Sequence, residues 1–225
     1  TKPTLVKRYL ISVEHLYTYL KKVQKKNNDE TNSLVEKLFL LDTIIDEKND
    51  KVVFTNYSVI ALLMNYLVKE NNEKYKVYAV VAPSISSQFT YAKLGQVITG
   101  LKELGFFTVV EAALGADMVA MSEAKELSEK EFLTSSCCPA FVQYIKSAFP
   151  ALVPYVSHNL SPMAMLAKYI KETSEGAKVV FIGPCTAKKA EAQLETVKPY
   201  VDSVLTFEEL QALFDSKDID ITTLS

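Results

Sequence analysis

The chain has a single arginine, Arg8, and no run of basic residues interleaved with aromatics. It therefore offers no surface for tracking nucleic-acid phosphates, and a formal net charge of −2 adds no attraction to polyanions. Long apolar runs are missing as well. The best, residues 59–67, is short and interrupted by Asn65, against the roughly 20 residues that a bilayer-spanning helix needs. Lys2, Lys7 and Arg8 are not followed by an apolar core and a small-residue cleavage site, so no secretory signal is read. Cysteine is scarce: three residues, two of them adjacent. An odd count with neighbouring thiols argues against a secreted disulfide framework and for a cytoplasmic location. In that compartment, cysteines gathered in one region serve metal or redox chemistry. Repeats and low-complexity linkers are also absent.

What is present divides near residue 75. A length of 225 residues accommodates one α/β domain and a smaller appendage. Residues 1–75 read as helices separated by polar breaks: 5–26, then 33–47 with Leu34, Leu38, Leu41 and Ile45 on one stripe, then 56–70. No cysteine lies there, and the plain reading is a helical packing or docking segment.

From Lys76 onward apolar strands alternate with helices. Strands are expected at 77–82, 107–112, 132–135, 178–182 and 201–205. Helices are expected at 87–104, closed by Gly105, at 116–127, and at 139–149 with Phe141, Tyr144, Ile145 and Ala148 inward. Further helices begin at Ser161-Pro162, at Thr186, and at a capping box from Thr206 to Glu209. The pattern implies an α/β fold, a mainly parallel sheet with helices on both faces.

Three segments share one design, an apolar strand, a turn with proline, then a helix: Val81-Ala82-Pro83-Ser84, Ser136-Cys137-Cys138-Pro139 and Ile182-Gly183-Pro184-Cys185-Thr186. In open α/β sheets ligands sit where strands end and helices begin. Free N–H groups there favour thiolates and the anionic clusters that thiolates hold. The bland alternative is that each cysteine is a small core residue. Glu123 and Glu126 are three apart and share a helix face. Their bland reading is a solvated face beside Lys125.

Thr134-Ser135-Ser136-Cys137-Cys138-Pro139 closely resembles the TSCCP motif of the iron-only (FeFe) hydrogenases, with one extra serine if the threonine is aligned. Pro184-Cys185-Thr186-Ala187-Lys188-Lys189-Ala190-Glu191 resembles the family's PCxxKxxE motif. Ala82-Pro83-Ser84 and Gly115-Ala116-Asp117-Met118 also have counterparts, and the likeness extends over residues 76–215. The resemblance implies a 4Fe-4S cluster joined to a two-iron subsite, together the H-cluster, and a hydrogenase activity fed by an electron carrier such as ferredoxin after loading by cluster-maturation proteins. Carried over, Cys138 and Cys185 become cubane ligands and Cys137 the thiol that exchanges protons. Lys188 becomes the donor to a cyanide ligand, while Ala82, Pro83, Ser84 and Met163 become pocket residues. Glu123, Glu126 and Ser157 become a proton chain.

Several features depart from the family pattern. A third, glycine-rich motif with two further cysteines has no counterpart, so the expectation for residues 76–225 is a partial catalytic domain, inactive alone. Gly183 stands where many members have methionine, Met163 where many have glutamine, and Ala140-Phe141 replaces Gly-Trp. No ferredoxin-type cysteines precede the domain. Two other classes compete: a hydrogen or redox sensor or iron–sulfur assembly protein on the same fold, and an inert interaction domain. The retained Cys137 favours the enzyme, since a scaffold needs no relay thiol.

Overall fold

A computed structural model describes residues 76–225. The expected helices at 5–26, 33–47 and 56–70 lie outside the described residues. Four parallel strands form one sheet in the order β2-β1-β3-β4: β1 is Val77–Val81, β2 Thr108–Glu111, β3 Lys178–Gly183 and β4 Ser203–Thr206. Central β1 and β3 are continuous apolar runs because helices cover both of their faces. Edge strand β2 is only half-buried.

The helices are α1 Ile85–Gln88, α2 Leu94–Glu103, α3 Ala113–Ser128, α4 Pro139–Ala148, α5 Pro162–Thr173, α6 Ala187–Ala192 and α7 Phe207–Ser216. On one face α3 packs on α5, and α5 lies against β1 and β3. On the other, α2 meets α7, where Gly100 lets Phe214 and Ile221 come close. The chain runs outward from β1 to β2, then crosses back to β3 and on to β4. Strand order therefore reverses between β1 and β3, the switch point at which α/β sheets open a crevice. Ala82 N–H donates to Ile182 O at 2.8 Å, fixing the two strand ends side by side.

The expected helix 87–104 is two helices. Phe89 turns into the core, its ring 6.2 Å from those of Phe207 and Phe214, and the backbone breaks to deliver it. The helix restarts where Lys93 N–H donates to the Gln96 side chain at 2.7 Å. Its end follows the sequence: Gly105 has φ 101°, and Phe106 N–H reaches back to Leu101 O at 3.2 Å. The expected strand 132–135 is replaced by a loop with one isolated bridge, Thr134 to Val156. Strand β4 starts at Ser203 rather than 201, because Val201 N–H is spent on Val197 O in the preceding turn. In α4 only Ile145 is buried. Phe141, Tyr144 and Ala148 face outward, Tyr144 with 56% of its surface exposed.

Candidate functional site

Cys137 and Cys138 lie in the loop that enters α4. Cys138 is the N-cap of that helix and Pro139 its first residue, a proline tolerated because no N–H is needed there. The loop is pinned along its length. Thr134 N–H donates to Tyr155 O at 2.8 Å, and Ser157 N–H to Thr134 O at 2.7 Å. Ser136 Oγ donates to Asn159 O at 2.8 Å. Cys185 lies between β3 and α6, where Ala187 N–H donates to its Sγ at 3.4 Å. Such a donor stabilises a thiolate.

The two cysteine loops meet through Lys188. Its Nζ donates to Cys137 O at 3.0 Å and pairs with Glu191 Oε2 at 2.7 Å. Helix α4 packs on α6, so Cys138 and Cys185 stand at the starts of neighbouring helices. All three cysteines are free and exposed, which sets aside the reading of them as core residues. Among the described residues no group of three or more His, Cys, Asp or Glu converges as metal ligands. Cys138 and Cys185 would supply thiols, the donor kind that an iron–sulfur cubane takes, and two of the four that it needs.

The carboxylates sit behind this loop. Ser135 Oγ donates to Glu123 Oε1 at 2.9 Å and accepts from Cys137 N–H at 3.3 Å. Glu126 receives Lys130 Nζ at 2.7 Å, His158 Nδ1 at 2.7 Å, Asn159 Nδ2 at 2.9 Å and Ser157 Oγ at 3.1 Å. Lys130, then His158, pull its carboxyl down to about 2 from the ordinary 4.5, against a smaller opposing effect of desolvation. With 15% of its side chain exposed, Glu126 is no member of a solvated face.

The remaining expected residues are placed as follows. Ala82 is buried, Ser84 half-buried and Pro83 exposed, all just beyond β1. Met163 is buried on α5 within the main core. At Gly183 an added Cβ would fall 2.5 Å from the Phe181 ring and 3.4 Å from Ala82 Cβ. The aromatic ring thus fills the space beside the glycine. Sequence reasoning missed Ser135, Lys130, His158 and Asn159. The spacing of Glu126 and Lys130, four apart on one helix, is a signal that could have found one of them.

A family model described as "Iron only hydrogenase large subunit, C-terminal domain" matches residues 75–225. Iron hydrogenase 1 of Clostridium pasteurianum is 29% identical over 178 residues, 68% of this chain and 31% of that protein. The cytosolic Fe-S cluster assembly factor NAR1 of Botryotinia fuckeliana is 34% identical over 132 residues, 49% of this chain and 23% of that protein. Among solved structures, a variant of the [FeFe]-hydrogenase HydA1 from Chlamydomonas reinhardtii superposes with a TM-score of 0.65 at 26% identity, covering 74% of this chain and 49% of the other. The chain thus spans less than half the length of these relatives.

Proposed function

This chain belongs to the iron only hydrogenase family, matching the C-terminal domain of its large subunit, and we propose that residues 76–225 supply the part of such a domain that carries its first two cysteine motifs. The observation that supports this reading is the Lys188 contact to Cys137 O at 3.0 Å, which joins the start of α6, just after Cys185, to the loop of Cys137, 51 residues apart in sequence. In this reading Cys138 and Cys185 hold two corners of an iron–sulfur cluster. When bound in the whole protein, that cluster and its two-iron subsite supply the redox centre that interconverts protons, electrons and dihydrogen.

The chain's own residues bind, orient and move protons. Cys137 takes up and releases a proton at Sγ. Ser135 holds Glu123 beside it. Ser157 donates to Glu126 Oε2 at 3.1 Å, and Glu126 stays ionised and orders the turn behind the cysteine loop, apart from the Ser135–Glu123 bond. Lys188 offers its ammonium to an anionic ligand, while Ala82, Pro83, Ser84 and Met163 form the pocket's support. Electrons come from a separate carrier of ferredoxin type, and cluster-maturation proteins load the site. We assign the chain to the cytoplasm on its cysteine usage, although one relative, 29% identical over 184 residues, is the periplasmic [Fe] hydrogenase large subunit of Nitratidesulfovibrio vulgaris.

The 34% identity to NAR1 favours a second reading, an iron–sulfur assembly role on the same fold. Anaerobic reconstitution with ferrous iron and sulfide tests the site. Cys138→Ala and Cys185→Ala each lower the iron bound per chain, whereas Cys137→Ser leaves it unchanged. Unchanged iron in both alanine variants would rule the ligand assignment out.

A further inference from the structure

Helix α6 has six residues, too few to hold its own shape in water. Its two neighbouring lysines are tied in different directions. Lys188 reaches forward to Cys137 O and Glu191. Lys189 reaches back to Glu209 Oε1 at 2.5 Å, at the start of α7. That second pair is largely out of water, Lys189 with 11% and Glu209 with 3% of the side chain exposed.

Glu209 uses its two oxygens separately. Oε2 accepts from Thr206 N–H at 2.8 Å, while Thr206 Oγ1 accepts from Glu209 N–H at 3.2 Å, a capping box for α7. A glutamine would serve the box equally. Taking an ammonium and a carboxylate out of water is costly, and a buried pair often adds little net stability. The charge on Glu209 therefore does something that the cap does not require. It fastens the rear of α6 to the end of β4, while Lys188, three residues after Cys185, reaches the α4 loop at Cys137 O.

We propose that Glu209, acting through Lys189, is a positioning residue for the metal site: it sets the placement of Cys185 and Lys188 relative to Cys137 and Cys138. This rests on Cys138 and Cys185 being metal ligands. The test is anaerobic titration of the full chain with cobalt(II), read by the thiolate-to-cobalt absorption band, at a temperature where every variant is folded. Every chain in the titration carries Cys137→Ser, so that the neighbouring thiol cannot stand in, and Cys138→Ala then serves as the control for the ligand assignment and abolishes the band.

Glu209→Gln keeps the cap and removes the charge, and it is expected to weaken cobalt binding about tenfold or more, the usual effect of losing a residue that orients a ligand. Lys189→Met, which spares the capping box altogether, has the same effect. Lys189→Arg restores binding by keeping the charge. Undiminished affinity in both Glu209→Gln and Lys189→Met, with the band still lost in Cys138→Ala, overturns the proposal and leaves the ligand assignment standing. A band that survives Cys138→Ala overturns both.

Discussion

Glu123 and Glu126 lie one helical turn apart and have different surroundings. Glu123 meets the Ser135 hydroxyl, while Glu126 gathers Lys130, His158, Asn159 and Ser157. Because the folded-state carboxyl of Glu126 lies near 2, below its ordinary 4.5, its ionised form favours the fold. That contribution is whole above about 4.5, and it fades as pH falls through 4.5 toward 2. Glu126→Gln is accordingly expected to lower stability at neutral pH and to flatten the acid side of a Tm-against-pH curve. An unchanged acid limb would mean that the network does not bear on folding. The sequence placed both glutamates on one face, since that follows from helical spacing alone. It did not reveal Asn159 and His158, which reach Glu126 only because the bridge from Thr134 to Val156 folds their turn back onto α3.

At the scale of elements, close packing on glycine governs how α3 meets α5. A Cβ on Gly115 would fall 2.2 Å from Pro162 O and 2.9 Å from Leu166 Cβ, so Gly115→Ala must force the helices apart. A loss of about 1–3 kcal/mol is expected, read by urea unfolding. Gly95 in α2 has nothing within 4 Å of such an atom, and Gly95→Ala is expected to stabilise by about 0.4–1 kcal/mol through the unfolded chain. A Gly115→Ala chain as stable as the wild type would contradict the packing of α3 on α5. Thr206→Ala removes the hydroxyl that caps α7 and is expected to cost about 1 kcal/mol. That cap, the Gly105 terminus and strands β1 and β3 were legible because each depends on local chemistry. The break at Phe89 was not, since it answers to Phe207 and Phe214 more than a hundred residues away. The outward faces of Phe141 and Tyr144 were not legible either. Helical periodicity marks an apolar stripe without saying what covers it.

At the scale of the molecule, the parallel order β2-β1-β3-β4 reverses between β1 and β3 and brings the segments after those strands together. The alternation of strands and helices foretold a parallel sheet. Strand order came only with the coordinates, because it rests on long-range pairing. Everything proposed for the site requires Cys138 and Cys185 to face one space. The most direct test uses the Cys137→Ser chain, so that neighbouring thiols cannot chelate, and a trivalent arsenical that binds two thiols at once. One arsenic per chain is predicted, with Cys138 and Cys185 both protected from alkylation and protection lost in Cys138→Ala. Independent alkylation of the two thiols at undiminished rates in the presence of the arsenical would contradict it.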